Sequence, residues 1–395
     1  MSAEGEAIRS NDYRKDTTVK APSTRPAAVL GLDVGKSSHW ACLIDRGGEV
    51  LASAPVRNRE GALDALFSSA PAGTLVVVDQ FRNIGSLAVR RARAAGLAVA
   101  HLPGLAASRA AGLFAGEAKT DERDAEVIAR TALGVPDSLS GVPGRGEALE
   151  AARALSSQRD HVVACATRDK NRLRAVLLES CPALEAAVDL SDRRWLELLA
   201  GFGGAWGIAR SGAGGPRAEA AGEAAAASTA PPPALVEAEN RQVRFLAARI
   251  SEALDEAGAL EAETAALLEG DETYACLLTV PGIGPRTAAQ LAVSVDIARF
   301  PDHDHLASYR GIAPRVRSSG TSVRSVRASR RGDARLKSLL IFSCNSLVRS
   351  SGRYGEYCRA CRARGMGHGR ALKAVARKRL RAIYAVMRDR VPYRE

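Results

Sequence analysis

Four aspartates are the first residues whose types and spacing could do chemistry together. Asp33 closes a short apolar run, AVLGLD, and Asp79 closes another, TLVVVD. Asp121 and Asp124 lie three apart in a stretch of helical spacing, so one helix face presents both. Carboxylates gathered at one point repel each other unless cations sit between them. Hard divalent ions such as Mg²⁺ or Mn²⁺ take such oxygen ligands, and two of them can clamp the attacking and leaving oxygens of a phosphodiester. Each aspartate alone also has a plainer explanation. An Asp after a strand commonly closes a turn or caps a helix, and Asp121 could be a helix cap after Thr120. What separates the two readings is whether the fold brings the four together.

A second set lies in the C-terminal half. Ser319 precedes Gly320, with Arg315 and Arg317 on one side, Arg324 and Arg327 on the other, and Arg330, Arg331 and Lys337 following. A free serine hydroxyl is a poor nucleophile and needs a base, a cation or a metal to activate it. Among guanidiniums holding a phosphate, Ser319 is a candidate phosphoryl acceptor. The other reading is that these serines only hydrogen-bond phosphates in a flexible loop. Upstream, Pro281-Gly282-Ile283-Gly284, with Thr287-Ala288 behind it, looks like a helix-hairpin-helix. There the absence of side chains at Gly282 and Gly284 lets backbone amides approach a phosphate, although many such turns are purely structural.

The elements that must position these groups follow from periodicity. Residues 28–145 alternate strand and helix signals in the order β-β-β-α-β-α-β-α. That is the order of a ribonuclease-H-like α/β fold, whose first and fourth strands are neighbours, which would bring Asp33 beside Asp79. Residues 1–27 are polar and read as a disordered arm. Residues 146–200 read as a helical extension and 201–233, rich in Gly, Ala, Ser and Pro, as a linker. In 234–270, Val243, Leu246, Ile250, Ala253, Ala257, Leu260, Thr264 and Leu267 recur at spacings of three and four. This heptad seam fits a coiled coil or a long helix packed within the same chain. Residues 271–395 form a mainly α, basic C-terminal domain.

Charge is divided unevenly. The chain holds 56 Lys and Arg against 44 Asp and Glu, but from residue 310 onward the balance is 23 against 4. The whole positive excess therefore lies in the last 86 residues, as phosphate neutralisation by a nucleic-acid surface requires. No run of 18 apolar residues exists, and the N-terminus lacks the apolar core of a secretory signal. Seven scattered cysteines argue for reduced thiols in the cytoplasm; Cys358 and Cys361 form a lone CxxC without a second ligand pair. A phosphate-binding loop fails on spacing, since only three residues separate Gly31 from Gly35-Lys36-Ser37. A sugar-kinase reading of the same turn would need a second nucleotide-binding half, which the basic helical C-terminus does not supply.

Taken in order, GLDVGKSSHW, LVVVDQ, EAKTDERDA, TVPGIGPRTAA, YRGIAP and RSSGTSVR resemble the insertion-sequence 110 family of transposases, from about residue 28 to 390. The resemblance implies a RuvC-like, ribonuclease-H-like domain with an Asp-Glu-Asp-Asp tetrad, falling here on Asp33, Asp79, Asp121 and Asp124. It implies a catalytic serine before glycine, which is Ser319 rather than Ser318 or Ser322. It further implies a covalent serine–DNA intermediate, a homo-oligomer (dimer or tetramer) that joins the serine of one subunit to the carboxylates of another, and a bridge RNA that selects DNA targets. One departure stands out: Asp79 occupies the tetrad's Glu position, with an arm one methylene shorter. Two other readings remain open at this stage. One is a metal-dependent, structure-specific nuclease without covalent serine chemistry; the other is a nucleic-acid-binding relic.

Overall fold

The computed structural model describes residues 26–114, 120–142, 144, 146–309, 314–319, 323–328 and 334–394. They fall into two units, split between Arg145 and Gly146.

In the first unit, β1 (Ala28–Asp33) is buried along its first five residues, the mark of an interior strand covered on both faces. It pairs antiparallel with β2 (Ser38–Asp45), which pairs antiparallel with β3 (Val50–Arg57) through a register shift at Leu43/Ile44. After α1 (Glu60–Ser69), β4 (Thr74–Val78) lies parallel to β1. Helix α2 (Ser86–Ala94) then leads to β5 (Ala98–His101), parallel to β4. Helices α3 (Gly104–Ala111) and α4 (Asp121–Gly134) follow, and β6 (Ser140–Gly141) closes the edge antiparallel to β5. The sheet order is β3-β2-β1-β4-β5-β6, a mixed α/β sheet.

Both sheet faces are covered. Leu30, Leu32, Val76 and Val78 pack with Leu63 and Phe67 of α1 and Ala88 and Val89 of α2. Val29, Leu75 and Val77 point the other way, onto Ala125, Ile128 and Ala129 of α4. Alternate residues of one strand thus meet different helices, which is why β1 and β4 are apolar at every position.

The second unit is mainly helical. Two long helices, α5 (Glu147–Ser180) and α10 (Pro233–Leu267), run antiparallel. The direction follows from the ion pairs Arg159–Glu261 and Asp169–Arg249, since partners advance along one helix as they recede along the other. The heptad seam of α10 is therefore satisfied within the chain: Val243, Leu246, Ile250, Ala257, Leu260 and Thr264 are all buried.

Between these two helices lie α6 (Pro182–Ala187), α7 (Arg193–Phe202), α8 (Ala205–Ser211) and α9 (Pro216–Ala226). The stretch 201–233, whose composition suggests a linker, is thus largely helical. Its alanines supply the reason, because Ala218, Ala221, Ala224 and Ala225 form a buried face on α9 and join Leu173, Leu177 and Leu199 in one apolar cluster. Gly203, at φ +93°, and Gly207 give way to the buried side chain of Asn240, whose Oδ1 accepts the Gly204 N–H at 2.9 Å.

The remainder comprises α11 (Glu272–Leu278), α12 (Pro285–Ser294), α13 (His303–Tyr309), the hairpin β7 (Pro314–Ser319) and β8 (Val323–Ala328), then α14 (Ala334–Phe342), α15 (Asn345–Arg349), α16 (Arg353–Ala363) and α17 (His368–Asp389). Leu277, Leu291, Leu340, Leu380 and Ile383 hold α11, α12, α14 and α17 around one core. Cys358 and Cys361 are buried in a second apolar cluster with Cys344, Leu372 and Val375. These thiols are core residues. Among the described residues, no helix is long and apolar enough to cross a membrane.

Candidate active site

Because β1 and β4 are parallel neighbours, with Leu32 opposite Val78, both strands end at the same edge of the sheet. Asp33 is the last residue of β1 and Asp79 follows β4 directly. The chain turning out of β1 donates the Val34 N–H to Asp79 Oδ1 at 3.2 Å, which places the Asp79 carboxylate beside the Asp33–Val34 backbone. Burial pushes the Asp79 carboxyl above the ordinary aspartate range, and the negative charge of Asp124 pushes the same way. The N–H groups of Val34, Asp79 and Gln80 oppose both without cancelling them.

Helix α4 brings the other pair. Thr120 is its N-cap, with the side-chain oxygen accepting the Arg123 N–H at 3.3 Å, so Asp121 is not needed as a cap and begins the first helical turn. Asp121 is exposed and Asp124 half-buried. The approach of α4 to the strand end depends on Gly31. A Cβ there would stand 2.4 Å from the Ala125 carbonyl oxygen and 2.7 Å from the Ala129 nitrogen. Only a residue without a side chain lets the helix backbone lie directly on β1, two residues before Asp33.

A histidine with no part in the sequence reading completes the strand edge. His101 ends β5, and its Nε2 lies 3.0 Å from the Asp79 carbonyl oxygen while its Nδ1 lies 3.0 Å from Ser140 Oγ. The carbonyl can only accept, so Nε2 carries the proton in that contact. The Phe81 ring packs edge-on to the imidazole at 4.8 Å. His101 therefore braces the backbone of Asp79 rather than its carboxylate. A polar ring closing an apolar strand, AVAH, is the signal that could have found it.

The donor chemistry suits a hard divalent ion: the groups are all carboxylates, and Asp79 feels the negative charge of Asp124. Among the described residues, no three His, Cys, Asp or Glu side chains stand close enough to form a finished ligand set. Convergence in this structure extends to Asp33 and Asp79 at one strand edge, with Asp124 within electrostatic reach of Asp79.

In the second unit, Ser319 is the last residue of β7 and pairs in register with Val323. Arg315 pairs with Arg327, Arg317 with Ser325, and Ser318 with Arg324, so the hairpin gathers the serine and four arginines into a few rungs. Arg330 and Arg331 lie outside the described residues. Lys337 is on α14.

The two turn glycines between α11 and α12 have different reasons to be glycine. Gly282 has φ +72°, and a Cβ there would meet Leu347 Cγ at 2.9 Å and the Ser343 oxygen at 3.0 Å. Gly284 precedes α12 with nothing near its missing Cβ. Beneath this turn Arg379 of α17, only 1% exposed, donates to the Pro281 carbonyl at 2.5 Å and to Ser343 Oγ at 2.7 Å. Helix α17 also exposes Arg370, Lys373, Arg377, Lys378 and Arg381, spaced to share one face. This basic stripe is an addition to the residues singled out by motif.

The first unit carries carboxylates at the ends of adjacent parallel strands, the second is mainly helical and basic toward its end, and the match to known families gives the class of protein, a transposase. Residues 30–182 match a family profile described as Transposase, for the DEDD domain of IS110, and residues 274–359 match one described as Transposase IS116/IS110/IS902 family. The chain is 35% identical over 379 residues to an insertion element IS110 protein of 43.6 kDa from Streptomyces coelicolor, covering 91% of this chain and 94% of the relative. It is 29% identical over 386 residues to an insertion element IS116 protein of 44.8 kDa from Streptomyces clavuligerus, covering 93% and 96%. Over 124 residues it is 35% identical to a pilin gene-inverting protein of Moraxella bovis, covering 30% of this chain and 37% of that protein. The chain belongs to the IS110 family of transposases, enzymes that cleave and rejoin DNA. The DEDD character of the N-terminal profile points to use of a divalent metal.

Proposed function

We propose that the chain moves an insertion sequence by cutting and rejoining DNA strands with two sets of groups, the carboxylates Asp33, Asp79, Asp121 and Asp124 on a ribonuclease-H-like sheet and the serine Ser319. The observation that best supports the carboxylate set is the shared strand edge of Asp33 and Asp79, together with the influence of Asp124 on Asp79. Bound there, Mg²⁺ or Mn²⁺ would supply Lewis-acid stabilisation of phosphate oxygens. The four aspartates would hold the ion, while Val34 N–H and His101 fix Asp79 and Thr120 fixes the first turn of α4.

In the serine step, Ser319 Oγ attacks a phosphorus of the DNA backbone. A new Oγ–P bond forms, the P–O bond to one deoxyribose breaks, and the serine proton ends on the released hydroxyl. A hydroxyl of the incoming strand then attacks the same phosphorus and frees the serine, so no phosphodiester energy is lost to water. The arginines of the hairpin, with Lys337, are assigned to the phosphates. The turn before α12, with Gly284 at the helix start, is assigned to the DNA backbone as a helix-hairpin-helix. The reading further includes a homo-oligomer, a cytoplasmic setting and a bridge RNA that selects the DNA.

Ser319→Ala should abolish strand exchange and the protein–DNA adduct trapped on denaturing gels, while DNA binding persists. An adduct in that variant would remove the serine from the reaction. A cleaving wild-type enzyme that never yields an adduct would instead indicate a simple nuclease. Asp121→Asn should lower cleavage by at least about tenfold and weaken its dependence on Mg²⁺, in line with the loss of a transition-state contact of more than about 1.4 kcal/mol. Unchanged metal dependence would detach Asp121 from the ion.

A further inference from the structure

Two clefts meet on the second unit. The larger, about 630 Å³, is lined in part by Arg159, Asp160, Arg286, Gln290, Arg335 and Phe342. The other, about 440 Å³, includes Gly282, Arg286, Phe342, Asn345 and Arg349. Arg286 and Phe342 line both and so form part of the wall between them. Phe342 is the last residue of α14 and remains 69% exposed. A single exposed apolar residue needs no explanation. This one is set between clefts whose other walls combine arginines, side-chain amides and serines with a few aliphatic residues such as Val163 and Leu339, so the ring has charged and polar neighbours that core packing does not require.

The charges are not equivalent. Arg159 is neutralised by Glu261 at 2.7 Å and Asp160 at 3.4 Å, and Asp160 also faces Arg335 at 3.6 Å. Arg286 makes no hydrogen bond or ion pair to any described residue. Burial and the neighbouring charge of Arg159 hold its guanidinium below the usual arginine range, with Asp160 and Glu261 only partly offsetting them. An arginine in this position gains most from an anion brought in from outside.

We propose that this double cleft holds one unpaired nucleotide of a DNA strand, with the base stacked on Phe342 and its phosphate on Arg286. A paired base shows only its edges, so a ring can stack against it only once the base has left the duplex. Every base offers a π-face to an aromatic ring, and Arg286 adds the phosphate contact, which together give affinity without sequence preference. Gln290, whose Nε2 donates to Ser294 Oγ at 2.7 Å, lines one cleft and Asn345 the other, and in this assignment their remaining amide groups meet base edges. Strand exchange must expose unpaired nucleotides next to the break. Ala328, at the end of the serine hairpin, and Arg335 in the cleft wall are seven steps apart along the chain, a reach of at most about 25 Å. The assignment of DNA rests on the transposase reading, but it is tested by binding alone, so its failure would leave the serine and metal chemistry untouched.

The full-length protein would be titrated against a single-stranded oligodeoxynucleotide carrying 2-aminopurine, a duplex of the same sequence, and a single-stranded RNA. Wild type should quench the 2-aminopurine by stacking. Phe342→Ala should bind the single strand about tenfold or more weakly and lose the quench, Phe342→Trp should keep both, and duplex affinity should change little in either variant. Arg286→Gln should lower the salt slope of single-strand binding by about one phosphate contact. Equal single-strand binding by wild type and Phe342→Ala would overturn the proposal. So would an equal loss on duplex, which would mark a general basic surface. A loss confined to RNA would reassign the cleft to an RNA strand and overturn the DNA assignment.

Discussion

Asp79 illustrates how much a single carboxylate can report. Its pKa is raised by burial and by Asp124, so the folded protein holds this proton more tightly than the unfolded chain does. Stability from this group is therefore present below the ordinary aspartate pKa and is lost as pH rises through the raised value. At neutral pH in EDTA, Asp79→Asn should melt at or above the wild-type temperature. On adding Mg²⁺ or Mn²⁺, wild type should gain several degrees, since an ion at a hundred times its Kd contributes about 2.7 kcal/mol. The Asn variant should gain little; an equal gain in thermal melts would place the ion elsewhere. The position of Asp79 was legible in the sequence because an apolar run ended on it. His101 shows in the sequence only as a polar ring closing an apolar strand; the carbonyl it meets depends on β5 lying beside β4.

At the scale of elements, the contact between α4 and β1 is the joint on which the carboxylate arrangement depends. Gly31→Val would drive a side chain into the Ala125 carbonyl and the Ala129 nitrogen. Backbone cannot yield as a side-chain tip can, so α4 must move away from β1, at a cost of about 1–3 kcal/mol. Cleavage should fall much further than the urea midpoint does, because Asp121 and Asp124 move with the helix. Full cleavage by a folded Gly31→Val protein would show that α4 does not position the metal site.

Elements of strong period were legible: β1, β2, β4 and α4 lie where apolar spacing puts them. Helices α8 and α9 were obscured by the Gly and Pro around them. Pro216 and Pro233 read as breakers in composition, yet each sits at the first turn of a helix, where its missing N–H costs nothing. Helix α3, GLAASRAA, has too few large apolar residues to show a period, and β6 is two residues long. The seam of α10 showed its spacing but not its partner, which only the antiparallel ion pairs with α5 identify.

For the whole molecule, the two sets of groups in the proposed reaction lie in different units, the carboxylates before residue 145 and the serine after it. If the serine of one subunit serves the carboxylates of another, two inactive proteins can repair each other. Mixing Asp121→Asn with Ser319→Ala should then restore part of the strand exchange, because a composite site can take its aspartates from one protein and its serine from the other. A mixture as inactive as its components, with assembly confirmed by light scattering, would place both sets in one subunit. The uneven charge makes a matching demand of the proposed reaction: the last 86 residues, where the positive excess lies, are the part whose charge suits DNA phosphates.

The paired helices α5 and α10 have one further consequence, in length. With 34 and 35 residues they extend about 50 Å at 1.5 Å per residue, and separate apolar clusters lie toward their two ends. The pair works as a ruler whose graduations are heptads. Removing seven residues from each helix, opposite one another, should draw the two clusters about 10 Å closer and leave the seam in phase. Removing two from one helix alone should turn the seam by about 200°, out of contact, and unfold the region, as circular dichroism and melting would show. The spacing between the two ends can therefore change in evolution while each end keeps its own packing.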